Sequence, residues 1–121
     1  MSLAAVILGG GLGALLRYLV QEWARTKAGS LSLGTLLVNL SGAFLIGFLM
    51  MAFHDAFEAH PHRRLFIIAG ILGGFTTFSG LGWDAYQLFT QNPASAAWYV
   101  FISFVGGAAA ILLGLSLGRL L

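Results

Sequence analysis

Four runs of apolar residues, at about 3–23, 33–53, 65–89 and 96–117, take up nearly all of the 121-residue chain. Each matches the ~20 residues that cross the hydrocarbon core of a bilayer as a helix. In lipid a backbone N–H or C=O has no water to bond, so a run of this kind satisfies its own backbone by coiling into a transmembrane helix. The stretches between them, 24–32, 54–64 and 90–95, leave no room for a second domain. The expectation is therefore an all-α integral membrane protein, one domain over 1–121. Composition agrees, with 59% hydrophobic and 8% charged residues and a mean hydropathy of +0.91; a soluble domain carries about 25% charge. The first run has no basic leader and no small-residue cleavage site, so it reads as a span and not as a signal peptide.

Several function classes are excluded by the same residues. There is no cysteine, and the six basic residues behind the +2 net charge are scattered singly or in pairs. Thiolate chemistry is thereby ruled out, and nucleic acid is not expected as a partner. His54, Asp55, Glu58, His60 and His62 fall between the second and third runs without an i, i+4 His pair, which reads as a solvated loop and not as a metal site. No nucleophile with a base, phosphate loop or cofactor motif is readable, so an enzyme is not expected. Trp23, Trp83 and Trp98 stand near span ends, as interfacial anchors do.

Most of the 17 glycines lie inside the spans. Gly9 with Gly13, Gly70 with Gly74, and Gly106, Ala110, Gly114 and Gly118 repeat every four residues, the small-residue pattern that lets helix backbones approach closely in a membrane. Packing within one chain and packing between subunits are both compatible with it. Loop charge is nearly balanced. Arg25 and Lys27 mark one side, Arg63, Arg64 and Arg119 the other, so the usual bias that fixes orientation is almost absent. Insertion in both orientations, followed by antiparallel two-fold pairing, would give such a chain a closed dimer.

Polar residues at membrane depth are costly and mark either a local partner or a pathway. Here they cluster: Thr35, Asn39 and Ser41 in the second span, Thr76, Thr77 and Ser79 in the third, Tyr99 and Ser103 in the fourth. Thr35 with Asn39, and Tyr99 with Ser103, share a helix face by their spacing of four. The run Gly73-Gly74-Phe75-Thr76-Thr77-Phe78-Ser79-Gly80 is weak helix former throughout and predicts a break in the third helix mid-membrane. Carbonyls freed by such a break can coordinate a cation; the alternative is a kink repaired by the threonine hydroxyls. No Asp or Glu is expected at depth, Glu22 and Asp84 being placed near helix ends and Asp55 and Glu58 in a loop. Hydrogen-bond donors and the positive ring edge of Phe78, without fixed negative charge, favour an anion as the permeant species. A small anion sheds tens of kcal/mol of hydration on entering low dielectric, so the donors must replace much of its water shell. Arg17, two thirds along the first span, either snorkels to the interface or raises the anion concentration at a vestibule.

Three motifs carry a resemblance to a known family: Gly9-Gly10-Gly11-Leu12-Gly13-Ala14-Leu15-Leu16-Arg17-Tyr18, Gly34-Thr35-Leu36-Leu37-Val38-Asn39-Leu40-Ser41-Gly42, and Gly70-Ile71-Leu72-Gly73-Gly74-Phe75-Thr76-Thr77-Phe78-Ser79. In this order in a four-span chain they resemble the Fluc/CrcB fluoride channels over nearly the full length. The resemblance implies a dual-topology antiparallel homodimer in the cell's inner (plasma) membrane, with two pores passing fluoride passively out of the cell. It implies that Asn39 and Phe78 contact the ion, that Tyr99 and Ser103, with Thr35 and Thr77, continue the polar track, and that Arg17 lies near the vestibule. It also implies a structural Na+ at the dimer interface, held by the backbone carbonyls of Gly73 and Thr76 from both subunits. Similar proteins usually continue Thr-Thr-Phe-Ser-Thr-Phe, whereas here Gly80 and Leu81 follow Ser79; Leu81 keeps the bulk of the second phenylalanine but has no ring edge. Gly107 likewise stands where a further hydroxyl would extend the track. The competing readings are a small multidrug-type dual-topology transporter, which would be expected to carry an intramembrane glutamate where this first span has Arg17, and a membrane assembly subunit that transports nothing.

Overall fold

A computed structural model of the chain describes residues 2–121. It is helical throughout, and four helices are long and apolar enough to cross a membrane: Ser2–Ala28, Leu31–Ala52, Pro61–Gln91 and Pro93–Gly118. Only 11–22% of the most apolar window of each is buried inside the chain. The remaining apolar surface, Phe78, Trp98 and Leu112 among it, is covered by lipid or by another chain, as a multi-pass membrane protein requires.

The first span is α1 (Ser2–Ala28) and the second α2 (Leu31–Ala52). They turn back on one another through Gly29 at φ 65°, a left-handed conformation that suits glycine. Ser30 then caps α2, its side chain accepting from the Leu33 N–H at 3.1 Å. The segment expected as a solvated loop at 54–64 is instead mostly helical, α3 (His54–Ala59) and α4 (Pro61–Arg64). Pro61 starts α4 where its missing N–H costs nothing. Phe57 anchors α3 by burying its ring.

The third span is composite. After α4 it runs as a π-helical segment, Leu65–Leu72, then a single turn, α5 (Gly73–Phe75). Thr76 (φ −82°, ψ 157°) and Thr77 (φ −149°, ψ 116°) are extended, and the helix restarts as α6 (Phe78–Gln91). The expected break is therefore two residues long and sits on the two threonines. Asn92 ends α6 and caps α7 (Pro93–Phe101), accepting from the N–H groups of Ala94 at 2.9 Å and Ser95 at 3.4 Å. This is the turn that Asn92-Pro93 predicts. A second π-helical segment, Ile102–Gly106, leads into α8 (Gly107–Gly118).

The helices run past most of the apolar limits read from sequence, by five residues at the end of α1, while α2 starts two residues early and stops one short at Ala52; polar residues such as Arg25 and Lys27 continue a helix into the headgroup region as readily as a loop would. Packing within one chain consumes much of the small-residue pattern. Gly9 of α1 lies against Gly70 of the π segment, where a Cβ on either would stand 2.9 Å from the other's Cα. Gly114 of α8 seats against α2, a Cβ there falling 2.7 Å from the Phe48 N. Backbone-to-backbone seams of this kind replace the hydrophobic driving force that lipid cancels.

Candidate functional site

The break is held open by one side chain from the neighbouring span. The Asn39 amide of α2 donates from Nδ2 to the Thr77 C=O at 3.0 Å, and its Oδ1 accepts from the Thr77 N–H at 2.8 Å. An amide presents the donor and acceptor of a peptide, so Asn39 pairs with extended Thr77 as an adjacent strand would. Two carbonyls are released by the diversion of their helical partners. The Thr77 N–H, which one turn on would bond the Gly73 carbonyl, goes to Asn39. The Gly80 N–H, which would bond the Thr76 carbonyl, goes to the Thr77 Oγ1 at 3.0 Å. The Thr76 hydroxyl bonds back to the Leu72 carbonyl at 3.0 Å, closing the end of α5.

A groove of about 410 Å³ opens beside this joint, lined by Asn39, Thr77, Phe78, Leu81, Ser103 and Phe104 among others. A second hollow of about 300 Å³, which reaches Gly73, Leu72 and Ile68, shares Asn39, Ala43 and Thr76 with it. The expected residues Asn39, Thr77, Phe78, Leu81 and Ser103 thus meet on one groove, with Thr76 between the two hollows and Gly73 on the second. Phe78 is 76% exposed and Leu81 is buried. Arg17 is half-buried on α1, lines neither hollow, and makes no ion pair among the described residues.

Thr35 and Tyr99 lie away from the groove, in a buried polar knot that takes one residue from each span. Gln21 Nε2 donates to the Thr35 Oγ1 at 3.0 Å, and the Tyr99 hydroxyl, beside Thr35, donates to the Asp84 Oδ2 at 3.3 Å. Asp84 is only 4% exposed. This corrects its placement near a helix end: α6 continues to Gln91, so Asp84 lies about two turns inside, and a carboxylate does stand within a span. It is neither free nor on the groove, because Tyr99 satisfies it. Asp84 was legible as an acid but not as a buried one, and Gln21 was missed, since nothing local marks a glutamine near a span end as the partner of a threonine in the next helix.

The hydroxyls are also less available as donors than their clustering suggests. Ser103 spends its proton on the Tyr99 carbonyl at 2.7 Å and Ser41 on the Leu37 carbonyl at 2.6 Å, the local back-bonding that serine and threonine favour in membrane helices. On the groove the remaining donors are the second N–H of Asn39 and the Thr77 hydroxyl, which stands 3.3 Å from that of Ser79, while Ser103 offers only lone pairs. Among the described residues no three of His, Asp and Glu converge, and His54 and Asp55 form only an exposed pair at 3.3 Å.

Comparison with known proteins matches residues 4–115 to the family described as CrcB-like protein, Camphor Resistance (CrcB). The chain belongs to the CrcB family. CrcB relatives are similar over the full length. A protein of Agrobacterium fabrum named fluoride-specific ion channel FluC is 42% identical over 98% of this chain and 97% of its own. Proteins of the same name from a Roseiflexus species and a Hydrogenobaculum species are 41% and 40% identical, the former over 100% of this chain and 99% of its own, the latter over 100% of both. In this CrcB chain the motif residues Asn39 and Thr76-Thr77-Phe78 are thus those that build the braced break and its groove.

Proposed function

We propose that two copies of this chain, inserted in opposite orientations in the cell's inner membrane, form a homodimeric channel that passes fluoride passively and so lowers cytoplasmic fluoride. The names carried by its full-length relatives support the choice of ion. The observation that carries the reading structurally is the Asn39–Thr77 brace beside a groove that bears Phe78. It keeps irregular backbone at membrane depth, which a bilayer tolerates only where protein or a cavity covers it.

Fluoride is a compact, strongly hydrated anion, and its water shell has to be replaced along the path. The free N–H of Asn39 and the ring edge of Phe78 do this at the centre, with the Thr77 hydroxyl beside them, Leu81 as an apolar wall, and Ser103 on the lining, its hydroxyl turning to the ion only by leaving the Tyr99 carbonyl. Thr35 and Tyr99 extend the polar line toward the end where α1, α2, α6 and α7 meet. Arg17 raises the local anion concentration at the vestibule. Asp84, bonded to Tyr99 and off the groove, leaves the path without a free carboxylate to couple transport to protons. The groove is open along one side, and a second copy closes it. The balanced loop charges, with Arg25 and Lys27 on one side and Arg63, Arg64 and Arg119 on the other, permit either orientation. The released carbonyls of Gly73 and Thr76 are oxygen donors free of helical partners and fit a Na+ shared between the two copies. Bound there, the cation supplies a fixed positive charge at the break and ties the subunits together.

Liposomes loaded with potassium fluoride and carrying the purified protein test the reading directly. On addition of valinomycin, rapid fluoride release at an ion-selective electrode is expected, with none from potassium chloride liposomes. Absence of fluoride release rejects the channel and favours the transporter or the assembly subunit.

A further inference from the structure

The groove presents two aromatic rings, and they come from different spans. Phe78 opens α6, while Phe104 lies in the π-helical segment of the fourth span; their centroids are 6.5 Å apart and their planes inclined at 72°. That is an edge-to-face arrangement inside the 4.5–7 Å range over which aromatic rings attract. Both rings are largely open, at 76% and 58% exposure, so little else on the chain fixes the plane of Phe78. Leu81, the other bulky apolar residue of α6 on this groove, has no quadrupole with which to orient a ring. The π segment centres on Ser103 and Phe104. π-helical turns are rare and recur at functional sites.

We infer that Phe104 is a positioning residue for anion permeation: its ring fixes the plane of Phe78 and thereby points the positive edge of Phe78 into the groove. The inference rests on the channel reading. Replacing Phe104 by leucine keeps an apolar side chain at an exposed position, so the fold is retained while the edge-to-face pair is lost. An aromatic pair of this geometry corresponds to roughly a two- to tenfold effect, and fluoride release through Phe104→Leu slows by that factor. Phe104→Tyr, which keeps the ring, retains the wild-type rate.

The decisive experiment is a cycle of fluoride-release rates for wild type, Phe78→Leu, Phe104→Leu and the double variant, each reconstituted at equal dimer content. Action through Phe78 makes the double variant no slower than Phe78→Leu alone. A residue that merely packs against lipid or a partner gives equal losses with or without Phe78, and that additivity overturns the inference. A wild type that conducts while Phe104→Leu matches it also overturns the inference and leaves the channel reading standing; a wild type that releases no fluoride overturns both.

Discussion

Replacing Asn39 by leucine removes both hydrogen bonds that hold Thr77 in the extended conformation, at 3.0 and 2.8 Å. Leaving one buried backbone group unpaired costs about 1–3 kcal/mol, so the pair is worth about 2–6 kcal/mol to the broken form of the third span. Leucine recovers less than about 1.5 kcal/mol by burial at this half-buried position. The relaxed alternative is close at hand, because the freed Thr77 N–H can return to the Gly73 carbonyl and mend the helix. Mending closes the carbonyls of the break, and the substitution itself removes the Asn39 donor from the groove. At 1.4 kcal/mol per tenfold, a net shift of about 2 kcal/mol within this range lowers the ratio of open to mended forms roughly 30-fold. The assay is fluoride release from liposomes per reconstituted dimer, with size-exclusion chromatography to show that the dimer persists. Asn39→Asp serves as a second probe. It keeps the acceptor for the Thr77 N–H, aims an oxygen at the Thr77 carbonyl and adds negative charge to an anion path, so it too loses flux. A wild-type rate through Asn39→Leu with an unchanged melting temperature would refute the brace.

Asp84→Asn preserves an oxygen for the Tyr99 hydroxyl and leaves both melting temperature and flux near wild type, whereas Asp84→Leu strands that hydroxyl and lowers stability by about 1–3 kcal/mol, read by thermal denaturation in detergent. Gly114→Val drives a side chain into the backbone of α2 at Phe48 and reduces the yield of folded protein, while Gly10→Ala, with nothing within 4 Å, leaves yield and flux unchanged. Arg17→Gln slows fluoride release at low ionic strength and converges on wild type in high salt, because a charge acting at a vestibule is screened there; a salt-independent loss would contradict that role.

What was legible in the sequence follows from what is local. The four spans are written in runs of apolar residues, the break in consecutive glycines and threonines, and the α6–α7 turn in Asn92-Pro93, each within a single stretch of chain. What the sequence concealed is pairing across the bundle. Asn39 stands out as polar at depth, but its partner lies 38 residues away and is a backbone, not a side chain. Gly9 and Gly70 each advertise a close approach without naming the other. The π-helical segments Leu65–Leu72 and Ile102–Gly106 carry no compositional mark, since their residues would serve an α-helix equally well. Asp84 was misplaced because an acid in an apolar run suggests an end, and only the Tyr99 hydroxyl, 15 residues on, lets it stay inside.

The central claim is that a small anion passes alone through the groove beside the Asn39–Thr77 joint. The most direct test is the reversal potential in a planar bilayer containing the reconstituted protein, with a fluoride gradient under symmetric chloride. The account predicts a current that reverses at the fluoride equilibrium potential and is unmoved by a pH gradient. Reversal at zero voltage, or a reversal potential that follows the pH gradient, would contradict it.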